Sequence, residues 1–286
     1  MSLRVNSLLI ISLIWAVSCQ KNDDPDPRFE EEIASEVIAE FIDDDIEKIV
    51  LSQVFNFYQT RGVSADAQTH PTPNLNPYEH RTGCAVKSTT NNNSQVMIDY
   101  GSGCRDDQKR VRAGKIIANL SEKKDLVFGR IDIILENYYY ESVLVTGTRT
   151  IIVNTETTRQ YADIESNISD GLLTFDDGSS YTYNAQRAIA WDFSGDTENE
   201  FYFAIELNKS GNDRNNVEFE STSLSRVITH SSNFESGIGQ ITGGMLRRTT
   251  DNKIKSLDFK GGTAISVIEN DEEPYSLDLS SLFINS

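Results

Sequence analysis

From Gln95 onward the sequence never settles into a helical period. Runs of β-branched and aromatic residues alternate instead with Gly, Asn and Asp turns. The runs mark strands at Gln95–Tyr100, Arg110–Leu120, Leu126–Tyr140, Val143–Asn154, Leu172–Phe175, Ser180–Tyr183 and Arg187–Phe193. They continue at Glu200–Leu207, Glu218–Ser225, Gly239–Arg248, Lys253–Lys260, Thr263–Glu269 and Tyr275–Leu279. Gaps this short suit hairpins, which join antiparallel strands; parallel strands need long crossovers. Asp176-Asp177-Gly178-Ser179 reads as one such hairpin turn. The expected class is mainly β, an antiparallel domain over 83–286 without a long helix. A faint echo suggests two related β units as one arrangement. Ile98-Asp99-Tyr100 precedes Gly103-Cys104 much as Leu257-Asp258-Phe259 precedes Gly262-Thr263, although chance produces such pairs too.

Ahead of the strands, 29–60 reads as an amphipathic helix or helix pair. Apolar residues fall at Ile33, Val37, Phe41, Ile46, Ile49, Val50, Val54 and Phe57, close to the helical repeat. Glu30, Glu31 and Glu32 suit the positive end of the helix dipole. Asp43-Asp44-Asp45 is a poor helix interior and is where the two helices of a pair would part. The apolar face should pack on the β domain; a coiled-coil partner surface is the alternative. Gln59 to Thr82 reads as a connection rich in Pro, Asn, Gly and Thr.

The first residues read as an address. A cationic start at Arg4 leads into an apolar run from Leu8 to Val17, then Ala16-Val17-Ser18 ahead of Cys19. The run is shorter than the roughly 20 apolar residues a spanning helix needs. The expectation is a lipoprotein signal peptide over 1–18, lipidation at Cys19, and anchoring in a membrane through several acyl chains. Residues 19–28 form a polar tether with Lys21, Asp23, Asp24 and Asp26. The tether resembles the export signal of surface lipoproteins in the Bacteroidota, from which it departs by placing Asn22 between Lys21 and Asp23. The expected location is the outer membrane, lipid-anchored, on its outer or periplasmic face.

The formal charge of −18 argues against nucleic acid, whose binding needs a cationic footprint. Of three cysteines, Cys84 and Cys104 remain for a disulfide in a compartment that permits one. Free thiols are the alternative, and metal binding lacks further ligands at suitable spacing.

Little else suggests chemistry, and neither a cofactor nor a metal is expected. There is no Gly-x-Ser-x-Gly elbow, and the three histidines are His70, His80 and His230. Gly237–Gly243 lacks the strand and helix that a nucleotide loop requires. The oxygen-rich turns at Asp176–Gly178 and Asn212–Asn216 do not fit a calcium loop and read as turn geometry. Arg105, Lys109, Arg110, Arg112 and Lys115 make a basic cluster in an acidic chain. Arg110 and Arg112 share one face of a strand, either solvated beside acids or touching an anionic glycan or a partner. Tyr138 and Tyr140 share a face, with Tyr139 opposite. They serve either as cross-strand packing or as an exposed contact.

Cys84, Ile98-Asp99-Tyr100-Gly101, Cys104, Gly114-Lys115-Ile116-Ile117, Asn137-Tyr138-Tyr139, Gly147-Thr148-Arg149-Thr150 and Trp191 occur in that order. Together they resemble a group of uncharacterised secreted lipoproteins of the Bacteroidota. The resemblance spans roughly Cys84 to Leu279 and implies an envelope location and β class. In that group the second unit carries a cysteine where this chain has Thr263, so no second bridge is implied. The expected function is a non-enzymatic cell-envelope lipoprotein that binds or structures a glycan or an envelope protein. An envelope enzyme acting on glycans is the alternative.

Overall fold

The computed structural model describes residues 27–60, 82–90, 94–106, 109–123, 126–153, 161–192, 202–230, 241–261 and 264–278. Among the described residues one helix, α1 (Pro27–Thr60), precedes fourteen strands. They are β1 (Val86–Thr90), β2 (Gln95–Asp99), β3 (Cys104–Arg105), β4 (Val111–Lys123), β5 (Leu126–Tyr140), β6 (Val143–Val153) and β7 (Tyr161–Thr174). There follow β8 (Ser180–Asp192), β9 (Tyr202–Asn212), β10 (Glu218–His230), β11 (Ile241–Thr250), β12 (Lys253–Phe259), β13 (Ala264–Glu269) and β14 (Tyr275–Asp278). Every described pairing is antiparallel, and all strands belong to one sheet. Order in the sheet follows order in the chain, with β3 alone off the path and paired to β4.

The mainly β class and the N-terminal helix agree with the sequence reading. The sheet runs unbroken through the region between the two echoed motifs. Each echo has a simple physical basis: Ile98, Tyr100, Leu257 and Phe259 are buried, and the aspartate between each pair is not. Two strands expected at Ser180–Tyr183 and Arg187–Phe193 are one, because Asn184, Ala185 and Gln186 continue the alternation. The first half of β7 was not expected; its polar outward residues, Glu165, Asn167 and Ser169, dilute the apolar signal.

In β8 the odd-numbered residues from Tyr181 to Trp191 are buried, and the even ones from Thr182 to Ala188 are exposed. The other long strands keep the same phase, so one sheet face carries the core and the other meets water. The helix fills the core side. From Ala39 to Val54 every residue of α1 is buried. The expected helix packed one apolar face on the β domain; here polar side chains of α1 are buried as well. Of a single helix or a helix pair, the single helix is found: Asp43, Asp44 and Asp45 lie inside it and are buried.

The sheet curls to enclose α1. Asp45 meets β4 and Glu32 meets β12, thirteen residues apart in sequence, or roughly 20 Å along a helix. A flat sheet would separate β4 from β12 by eight steps, roughly 38 Å. The curl coincides with a line of register shifts that crosses β4 to β8, at 113–115, 133–138, 146–148 and 168–171. Bulges bend a strand and increase its twist. At the first of these Gly114 has φ of 77°, and a Cβ there would lie 1.9 Å from the Asn137 carbonyl oxygen. The backbones approach so closely that only glycine fits.

A disulfide joins Cys84 to Cys104, with α-carbons 5.8 Å apart. It ties the segment before β1 to β3 and could stabilise the fold by roughly 3 kcal/mol.

Gly114 also supplies a stability test. Gly114→Ala should lower unfolding free energy by roughly 3 kcal/mol or more, since both the conformation and the contact with Asn137 oppose a side chain. Gly178→Ala, in an open turn with φ of 81° and nothing within 4 Å, should cost only about 1–2 kcal/mol. Urea denaturation of both variants measures the difference; equal losses would show that the bulge does not set the curl.

Candidate functional site

The side chains richest in chemistry lie between α1 and the sheet. Glu32, Glu36, Glu40, Asp43 and Glu47 recur at intervals of three or four and form one stripe along the helix. Each strand cation opposite them occupies an inward position of its strand. Arg149 on β6 donates from Nη2 to Asp43 Oδ1 at 2.9 Å. Arg187 on β8 donates from Nη1 to Glu40 Oε2 at 2.6 Å, and its Nε lies 3.2 Å from Glu47. Lys209 on β9 also donates to Glu40. Arg248 on β11 donates to Glu36 at 2.8 Å, to Glu32 at 3.1 Å and to Asp213 at 3.1 Å. Lys255 on β12 reaches Glu32 at 2.8 Å. Off the stripe, Arg112 on β4 grips Asp45 through Nε and Nη2 at 3.0 Å and also donates to Asp106.

Tyrosines complete the network. Tyr181 donates to Glu36 at 2.8 Å and Tyr183 to Asp43 at 2.6 Å. Lys209 lies 4.8 Å from the Tyr183 ring centre, and the Arg248 guanidinium 4.1 Å from that of Phe219. Burial holds the Tyr181 and Tyr183 hydroxyls protonated far above the usual range, so both stay donors at any physiological pH.

Among the described residues eight acids and eight bases are buried: Glu36, Glu40, Asp43, Asp44, Asp45, Glu47, Asp106 and Asp213, against Lys48, Arg110, Arg112, Arg149, Arg187, Lys209, Arg248 and Lys255. The balance accounts for how so much charge is tolerated inside. Glu47 is the strained member. Burial pushes its carboxyl up to about 7, against the pull of Arg187 and with Asp43 and Asp44 adding repulsion. Glu32, nearer solvent, goes the other way: burial opposes its ionisation, but Lys255 and Arg248 outweigh it and hold the carboxyl below its usual range.

The residues read as a possible surface contact belong to this interior. Arg112 and Tyr138 are fully buried, and Arg110 and Tyr140 nearly so; this corrects the exposed-contact reading of all four and leaves packing as the outcome for the two tyrosines. Each pair does share a face, but it is the face turned to α1, where Asp45 supplies the countercharge for Arg112. Tyr139 takes the opposite face and is 38% exposed. Lys115 stays at the surface, 3.3 Å from Asp99. Asp177 accepts from Ser179 N within the expected hairpin turn and pairs with Arg214. Asp213 accepts from the backbone of Asn215 and Val217. No group of three or more His, Cys, Asp or Glu among the described residues could hold a metal ion. Cys19, His70, His80 and most of Gly237–Gly243 lie outside the described residues; His230 ends β10.

A second feature lies on the solvent face. A trench of about 400 Å³ crosses β7, β8, β9 and β10. One wall is Asn167, Gln186, Asn208 and Thr222, which are direct cross-strand partners in sequence across the four strands. The other is Ser169, Asn184, Ser210 and Glu220, with Asn184, Ser210 and Glu220 likewise in register. The floor is strand at Ile168, Ala185, Lys209 and Ser221, whose side chains turn inward and are buried. The walls stand two residues apart along each strand, roughly 7 Å. The sequence signal for this trench was the run of Asn, Gln and Ser at outward positions of otherwise apolar strands.

Comparison of the chain with family models, curated proteins and solved structures found no match. No described helix is long and apolar enough to cross a membrane.

Glu47 gives the interior a measurable signature. Its folded value of about 7 exceeds the ordinary 4.5, so the folded chain takes up a proton between them. The stability tied to that proton is complete below pH 4.5 and disappears as pH rises through 7. Glu47→Gln cannot lose a proton. Between about pH 5 and about pH 8 the wild type should lose on the order of 2 kcal/mol relative to this variant, measured by thermal or urea unfolding. A variant that is relatively less stable at the higher pH would contradict the assignment.

Proposed function

We propose that this chain is a lipid-anchored protein of the bacterial cell envelope with a non-enzymatic binding role, carried by the solvent face of its sheet. The observation that supports this most is the destination of the buried charges. Carboxylates, arginines and lysines of the kind acid–base chemistry uses pair between α1 and the sheet and hold the helix in place. Catalysis needs such groups beside a cleft that a substrate can enter. The trench on the outer face offers amides and hydroxyls instead, which suit recognition. The disulfide fits an oxidising compartment. The resemblance to secreted lipoproteins of the Bacteroidota supports the same location.

The anchor explains why a sheet with one solvated face could serve as a binding surface. Held by lipid at Cys19 and an acidic tether, the domain would stay at the membrane without inserting in it. The acidic chain would also be kept off anionic headgroups.

Cys19→Ala, expressed in the native envelope, tests the reading. The variant should leave the membrane fraction and migrate differently on a gel because lipid attachment and processing are lost. Unchanged membrane retention and unchanged processing would overturn it.

A further inference from the structure

We propose that the trench across β7 to β10 is a binding site for an uncharged glycan chain lying perpendicular to the strands. This deepens the envelope-binding reading and rests on it.

Direction comes first. The walls run across four strands, each hydrogen-bonded to its neighbours on both sides, so no free strand edge opens into the trench. One common mode of peptide recognition adds an extended segment to such an edge through main-chain hydrogen bonds. It has no such partner here. What the trench presents is a series of side-chain groups at the inter-strand spacing, roughly 4.8 Å apart. A polymer laid along the trench would meet a new pair of polar groups at every step.

The chemistry of the walls narrows the ligand further. Asn167, Gln186, Asn208 and Asn184 are amides, able to donate and accept at once. Ser169, Ser210 and Thr222 add hydroxyls with the same dual capacity. Asn184 uses its oxygen to accept from Asp170 N, which fixes that amide and points its nitrogen elsewhere. The side chains of Asn167, Gln186 and Asn208 make no hydrogen bond to another described residue. A sugar hydroxyl is likewise both donor and acceptor, and a pyranose chain displays hydroxyls along both edges. Two facing rows of amides and hydroxyls complement that arrangement.

Charge argues against anionic polymers. The only ionised side chain on the walls is Glu220. Lys209 contributes floor, but its ammonium is turned inward to Glu40. An anionic chain would find a carboxylate and no cation, on a protein of net charge −18. Among the described residues no aromatic ring lines the trench, so neither stacking nor an apolar ligand is served. Binding then depends on many weak hydrogen bonds along a chain, which suits a long, repeating ligand.

Affinity electrophoresis of the detergent-solubilised full chain tests this. Gels carry dextran, hydroxyethyl cellulose or galactomannan as neutral polymers, and alginate or chondroitin sulfate as anionic ones. At least one neutral polymer should retard the protein, and the anionic ones should not. The double variant Gln186→Ala, Asn208→Ala should weaken retardation by about tenfold while its melting temperature stays unchanged. Arg130→Ala, on the solvent face of β5 outside the trench, should retain full retardation. Absence of retardation by every neutral polymer, stronger retardation by the anionic ones, or a double variant that binds like the wild type would each overturn the proposal. Retardation accompanied by release of new reducing ends would support the ligand class while refuting the non-enzymatic reading. Loss of retardation with Cys19 still lipidated would refute the ligand class and leave the anchor in place.

Discussion

Everything in this fold depends on placing an acidic helix inside a sheet. Seven carboxyl groups of α1, from Glu32 to Glu47, leave bulk water on folding. An unpaired buried carboxylate costs several kcal/mol, so the helix can enter only where cations await it. The sheet supplies them one at a time, at Arg112, Arg149, Arg187, Lys209, Arg248 and Lys255. Compared with a hydrocarbon core of equal volume, such pairs add little net stability. Their contribution is to register. Sliding α1 by one turn would set Glu36 against Lys255 and leave Arg187 facing the wrong acids. The network therefore fixes where the helix sits, and the apolar residues around it supply the driving force.

Curvature is the second requirement. A sheet that met the helix along one line would leave the far side of α1 in water. The bulges from Gly114 to Gly171 let five strands bend together, so cations on β4 and on β12 reach the same helix. The bend also shapes the outer surface. The register shift at Ile168/Gly171 borders the amide-lined trench, so the device that encloses α1 also places the trench walls.

Much of this was legible in the chain. The turn-separated runs gave most of the strands from β2 to β14, because apolar alternation and turn chemistry agreed there; β3 and the first half of β7 were missed, and β8 was read as two. Three things were obscured. The Asp43–Asp45 run looked like a helix break because propensity carries no knowledge of Arg149 and Arg112. Arg112 looked like surface because charge ordinarily means exposure. Its phase argued otherwise: it shares an inward face with the alternation that continues after Gly114 at Ile116, Ala118 and Leu120. The same holds for Arg187 two residues before Ile189 and Lys255 two before Leu257. A lone cation in phase with buried aliphatics, opposite a helix carrying acids at intervals of three and four, is the readable sign of this architecture. The trench was hidden for the opposite reason, since polar outward residues are common and only register aligns these across four strands.

Native-state hydrogen exchange on the α1 amides from Ala39 to Val54 tests the central claim most directly. If the helix is the element about which the sheet is built, these amides should exchange only through global unfolding. Their opening free energy should equal that of the slowest amides in β6, β8 and β9, and it should fall together with theirs in low urea. Helix amides that exchange through a separate, cheaper opening while the strands stay protected would contradict it.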